Sequence, residues 1–239
     1  MARHRPVVFI LTDGSGGRAA ARTQFSADCV RQAGGRLGGV FCVAPDRAWY
    51  AALLAADETP FAAALAAILA TARPAPRLVV SDAVDGYNPL HDLCAALAAA
   101  VVVRLRRDGA RVRHLVSPAV PVPLGPAALR LRLSPAELRR KHRAIRHYRP
   151  LAGEIRALGP LGPRIGRESL YTPRFGWPTE LTPAWEALGR ERVARGNYGT
   201  PIGYADHVRP MAMALLGESG GPAPCALPDR GVKAMVPQR

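Results

Sequence analysis

The chain has 239 residues and a mass of 25.5 kDa, enough for one large domain, or one domain with an appendage, that folds without disulfides or a structural metal. Apolar residues at 49% and charged residues at 21% exclude a largely disordered chain, a collagen and a small disulfide scaffold. Lys+Arg 33 against Asp+Glu 18 gives a net charge of +15, and only Lys141 and Lys233 are lysines, so the excess is arginine, part of which reads as the coding bias of a GC-rich genome.

Residues 6–12 (PVVFILT) predict a buried first strand. The polar TDGSGG follows at once, with no small-residue cleavage site, so this start reads as a strand and not as a secretory signal. After the Gly-rich turn from Asp13 to Gly17, residues 21–34 carry helical periodicity. Residues 38–43 predict a second strand, 47–73 one or two Ala-rich helices, and 77–81 a third strand stopped by Asp82. The loop DAVDGYNP leads into a long apolar helix from His91 to about Arg107, and 112–117 predict a fourth strand. Strands alternating with helices imply a parallel sheet covered on both faces. The longest apolar run, Leu93 to Val103, is 11 residues and too short to cross a bilayer.

Residues 117–128 hold four prolines and read as a connector before a short strand at 129–133. Ser134, Pro135 and Glu137 form a capping-box pattern that opens a helix running to about Tyr148. Residues 149–205 are rich in Gly, Pro and aromatics, with short helices expected at 151–158 and 183–195. A last helix at 206–216 precedes a Gly/Pro tail. The expected fold is α/β: a Rossmann-like three-layer parallel sheet over 1–133, a helical extension over 134–217 covering the site, and a poorly ordered tail over 218–239. Cys29, Cys42, Cys94 and Cys225 form no CxxC pair, which suits free thiols in a reducing cytoplasm.

Acids fall at the expected strand ends: Asp13 after ILT, Asp46 after FCVAP, Asp82 after VVS, with Asp85 three residues on. Ligands of open parallel sheets sit outside the carboxyl ends of the strands, so these acids would converge there if the strands are neighbours. Asp and Gly are also ordinary turn and cap residues. The turn Thr12 to Gly17 is neither a GxGxxG fingerprint nor a P-loop, although its amides, Ser15 among them, suit a flexible active-site turn. The densest chemistry is Asp85-Gly86-Tyr87-Asn88-Pro89-Leu90-His91-Asp92. There His91 is a candidate metal ligand or general acid/base, while Asn88 and Asp92 also suit helix caps. Tyr204 and His207 lie in a C-terminal segment that reads as a lid or a homodimer arm. Segment 104–149 carries 13 Lys/Arg against Asp108 and Glu137, a charge of +11. It has no RNP, KH or zinc-finger pattern, so a solvated Arg-rich face is the plainer reading and nucleic acid is not the expected partner.

TDGSGG, then Arg22 leading a helix, QAGGRLGGVF, APD, and a strand running into NPLH together resemble the PIG-L/LmbE-like superfamily of N-acetylglucosaminyl de-N-acetylases over roughly residues 6–108. The resemblance implies a Rossmann-like α/β fold, a divalent metal such as zinc, and hydrolysis of an N-acetyl sugar. Asn88-Pro89-Leu90-His91 sits where the family has H-P-D-H, so His91 matches a metal ligand and Asn88 takes the place of the catalytic His. The family's H-P-D-D-E motif occurs nowhere in these residues. The stretch DAVDGYNPLHDLC and the run from GRERVARGNY to HVRP are also similar to bacterial proteins with no known activity.

The expectation is therefore a hydrolase-like enzyme acting on a small polar saccharide derivative, anionic or nucleotide-linked, without a membrane partner. His91, Asp13, Asp82 and Asp85 are the catalytic candidates, His91 doubling as a metal ligand. Ser15, Arg22, Asp46, Tyr87, Asn88, Tyr204 and His207 would bind substrate. A metal-free binding or accessory protein with the same fold is the first alternative. A nucleic-acid-binding protein using segment 104–149 is the second.

Overall fold

The computed structural model describes residues 5–15, 22–157, 163–196 and 198–217; the tail expected at 218–239 lies outside them. Strands β1 (Val7–Thr12) and β2 (Arg36–Ala44) pair in parallel and are joined by helix α1 (Thr23–Gln32). Their register slips twice, and Cys42 sits in the left-handed region at φ 53°, a bulge that bends β2. Gly38 is required there because a Cβ would collide with the Phe9 ring on β1. The Ala-rich stretch splits into α2 (Asp46–Leu54) and α3 (Thr59–Thr71), broken at Ala56 with φ 51°.

Strand β3 (Leu78–Asp82), helix α4 (Pro89–Arg107) and strand β4 (Arg113–Ser117) make a second parallel pair in unbroken register, Leu78 opposite Arg113 through Asp82 opposite Ser117. Next comes β5 (Leu129–Arg132), then α5 (Pro135–His147) and the short α6 (Ala152–Ala157). Strand β6 (Arg167–Leu170), not expected from the sequence, pairs antiparallel with β5. Beyond it Tyr171 bridges Val116 of β4, which ties this hairpin to the second parallel pair. Helix α7 (Ala184–Ala194) and a single wide turn of π type at Tyr204–Val208, continuing into α8 (Arg209–Leu216), complete the described chain.

The architecture is mixed α/β, but among the described residues the strands form three two-stranded sheets and not one covered sheet. The reason is visible in the packing. Helices α1 and α3 both lie against β2, while α4 lies against β3, β4, α3 and α8. With α4 as the helix against β3 and β4, Leu78 and Val80 remain 42% and 47% exposed. One core nevertheless runs through both pairs. It joins Leu11 and Val40 to Trp49 and Phe61, to the buried side of α4 (Leu90, Leu93, Leu97, Val101), and to Trp177, Trp185, Tyr204 and Met211 of the C-terminal segment.

Candidate active site

Helix α4 begins where the sequence placed its chemistry. Asn88 is the N-cap; its Oδ1 accepts the Leu90 amide at 2.9 Å, and Pro89 fills the first helical position, where no amide is needed. The Asn88 Nδ2 donates to the Tyr50 hydroxyl of α2 at 3.1 Å. Tyr50 in turn meets Tyr198 edge to face at 6.3 Å. Burial raises the Tyr50 phenol above its ordinary pKa; the Asn88 bond and Arg192 oppose this, and Asp46 and Tyr198 add to it. Tyr50, which the sequence pattern did not single out, thus bonds Asn88 and lies in the field of Asp46. Its position one turn after Asp46 was the available signal.

The loop before α4 is folded on carboxylates. Asp85 Oδ1 accepts the Tyr87 amide at 3.0 Å, and its Oδ2 accepts the Ala119 amide at 2.6 Å. Asp92, only 1% exposed, reaches back from the first turn of α4. Its Oδ1 accepts the amides of Asp85 at 3.0 Å and Gly86 at 3.3 Å, and its Oδ2 accepts the Trp185 indole at 2.8 Å. Burial outweighs these donors and lifts the Asp92 carboxyl to about 6. The sequence reading saw Asp92 only as a cap; Trp185 lies too far along the chain for any spacing to reveal the bond.

Asp82 closes β3 and shares the field of His91 and Asp85. Burial raises its pKa, the positive form of His91 lowers it, and Asp85 raises it. The His91 ring lies 5.5 Å from that of Tyr87, which is 51% exposed. The buried His91 Nδ1 has no hydrogen-bond partner among the described residues. Cys94, one turn further along α4, has its thiol pushed up first by burial and then by Asp82 and Asp92, which keeps it protonated and a poor nucleophile. On the neighbouring sheet face the Ser81 hydroxyl lies 3.1 Å from His114 Nε2. Burial, with Arg106 adding to it, lowers His114 to about 4.

Asp82 thus lies in the field of His91 and Asp85, and Tyr87 lies against His91, while Asn88 faces Tyr50. Asp13 belongs to a different local arrangement: its amide donates to Ala44, its Oδ1 accepts the Ser15 amide at 2.9 Å, and its carbonyl accepts the Arg22 amide at 2.8 Å. Gly14, at φ 69°, lets the Arg22 side chain close over this turn. Gly16 and Gly17 lie outside the described residues. The polar atoms of Tyr204 and His207 serve the C-terminal segment itself. Tyr204 is 1% exposed, stacks on Trp177, and donates to the Pro178 carbonyl at 2.9 Å, while His207 Nδ1 accepts the Gly203 amide at 3.0 Å.

Among the described residues no three His, Cys, Asp or Glu side chains gather to hold a metal ion, so a zinc does not find its usual three protein ligands here. Nor, among them, is any helix long and apolar enough to cross a membrane. No family model matches the chain, and no curated protein or solved structure shows significant similarity to it.

Proposed function

We propose that the chain is a hydrolase of small polar amides, with an N-acetylated saccharide as the substrate class, and that Asp82 and His91 are its acid/base pair. The observation that carries this reading is the orphaned, buried His91 Nδ1 beside a desolvated carboxylate at a strand end. An unsatisfied buried polar atom costs about 1–3 kcal/mol, which a bound ligand or water would offset. In the proposed step the Asp82–His91 pair takes a proton from water, the water oxygen adds to the amide carbonyl carbon, and the C–N bond breaks as the proton passes to the leaving nitrogen. The products are a carboxylic acid and an amine, and the acid's proton passes on to the amine to leave a carboxylate and an ammonium. Tyr87 and Asn88 would hold the substrate, and Asp85 fixes the loop. The two parallel βαβ pairs support a Rossmann-like relationship of the fold, and the free Cys29, Cys42 and Cys94 suit a cytoplasmic location.

The test is release of acetate from a panel of N-acetyl amino sugars and their phosphorylated and nucleotide-linked forms. Turnover that is lost in His91→Ala, with an unchanged circular dichroism spectrum, is the expected result. Full activity in that variant would remove His91 from the mechanism. The second reading is a binding protein without catalysis. It predicts saccharide binding by calorimetry with no turnover of any panel member.

A further inference from the structure

A cavity of about 210 Å³ opens where α3 and α4 end, lined by Leu69, Arg73, Arg104, Leu105, Arg107 and Asp108. Leu105 is buried and Leu69 half-buried against the core, so one wall is apolar. Arg104 is half-buried, while Arg73, Arg107 and Asp108 are exposed. Helix α4 separates this cavity from the His91 loop, and at about 1.5 Å per residue the two places stand about 20 Å apart.

Basic side chains in a last helical turn commonly answer free carbonyls. Here backbone amides do so. The α4 end closes on Gly109 at φ 85°, with the Asp108 amide on the Arg104 carbonyl at 3.1 Å, Gly109 on Arg106 at 3.0 Å and Ala110 on Leu105 at 3.0 Å. The Arg106 guanidinium is spent on the Val112 carbonyl, at 3.0 and 2.7 Å. Arg104 and Arg107 form no ion pair among the described residues. The acid of the cavity, Asp108, faces Arg73 at 3.9 Å, with side chains 67% and 79% exposed. That pair is too long for a hydrogen bond and too solvated to contribute much. Three guanidiniums against one carboxylate leave the lining at +2.

We propose that this cavity binds the phosphoryl group of a small ligand, with Arg104 and Arg107 as its donors and Arg73 turning from Asp108 to join them. A guanidinium offers a phosphate two parallel N–H donors and keeps its charge at any ordinary pH. Arg104 and Arg107 stand three residues apart on one face of α4, so each can take a different oxygen of the same group. The negative end of the α4 dipole opposes an anion here with about half a charge, which the three guanidiniums outweigh. Leu69 and Leu105 suit the carbon body of a phosphate monoester, and the volume lies below the usual range of about 300 Å³ and more, which limits the ligand to a small one. This site stands apart from the proposed hydrolysis and does not depend on it.

The experiment is isothermal calorimetry of the full chain with glycerol 3-phosphate and with inorganic phosphate, at about 50 mM salt, where exposed charges are little screened. Saturable binding of either at one site per chain is the expected result; tighter binding of the ester assigns the apolar wall to the ligand body, and equal binding assigns recognition to the phosphoryl group alone. Arg104→Gln/Arg107→Gln should weaken binding at least about tenfold. Asp108→Asn removes the competitor for Arg73 and should tighten it about two- to fivefold, and it serves as the second variant if the double one fails to fold. The proposal is overturned if neither phosphate binds saturably, if acetate binds as tightly as both, if the double variant keeps full affinity, or if Asp108→Asn leaves affinity unchanged or lowers it.

Discussion

Trp185 donates its indole N–H to Asp92 Oδ2 at 2.8 Å, across 93 residues of sequence, and its backbone amide bonds the Gly86 carbonyl at 3.2 Å. Helix α7 is thereby fastened to the loop that carries Asp85 and Tyr87. Trp185→Phe keeps most of the ring packing but removes one donor from a buried carboxylate, a loss of about 1–3 kcal/mol. The variant should unfold at lower denaturant. In an Asp92→Asn background the same change should cost less, with a coupling of about 1–2 kcal/mol in the double-mutant cycle. Additive effects would show that the bond contributes nothing beyond packing.

Two buried groups should give opposite pH slopes. Asp92 holds its proton up to about 6 when folded, against about 3.9 when unfolded, so its contribution is full below the unfolded value and is lost as pH rises through about 6. Asp82, also raised by burial, acts in the same direction. His114 is lowered to about 4 against an unfolded 6.5, so its contribution is present above 6.5 and is lost as pH falls toward 4. Each shift corresponds to about 3 kcal/mol. Asp92 and His114 should therefore largely offset each other between about pH 4 and 6.5, with Asp82 leaving a net fall in stability as pH rises. His114→Asn should become less stable as pH rises through that window, and Asp92→Asn more stable. Denaturant midpoints across the window decide it; parallel slopes in the two variants would overturn the assignment.

The two capped helices separate a local role from a connecting one. Ser134→Ala should cost about 1 kcal/mol, since its capping box is exposed and self-contained. Asn88→Ala removes a cap of the same kind and also frees the Tyr50 hydroxyl, so it should cost more, about 2 kcal/mol. Asn88→Asp, which retains the capping oxygen but lacks the Nδ2 donor, should recover the capping part, about 1 kcal/mol, and leave the Tyr50 part lost. Equal losses for Ser134→Ala and Asn88→Ala would show that the Tyr50 bond carries no stability.

What was legible in the chain was local. The Ser134 capping box and the strand stopped at Asp82 each depend on a few adjacent residues and stand where the pattern put them, whereas α4 starts at Pro89, two residues before the expected His91, because Asn88 caps it. The cluster of Asp82, Asp85, Tyr87 and His91 was readable for the same reason, because one loop carries it. The expected convergence of Asp13 with Asp82 depends on strand order, which periodicity does not carry; β1 and β3 lie in separate two-stranded sheets, and Asp13 closes a turn with Ser15 and Arg22. Strand β6 was missed because Arg167–Leu170 is short and gains its ladder only from distant β5. The pairing of Asp92 with Trp185 left no local trace at all.

A zinc bound by His91 would need further protein ligands, and the described residues gather no group of three such donors. Asp82 lies in the field of His91 and of Asp85. Protein purified without a His-tag should therefore carry well under one zinc per chain by mass spectrometry, and hydrolysis should survive a chelator. His91→Ala and Asp82→Asn should each lower kcat by about 100-fold or more, as expected for loss of a general acid or base. The two changes together should cost little more than either alone, because they disable one unit. A zinc present at one per chain and lost in His91→Ala would overturn the metal-free acid/base reading and make His91 a ligand instead.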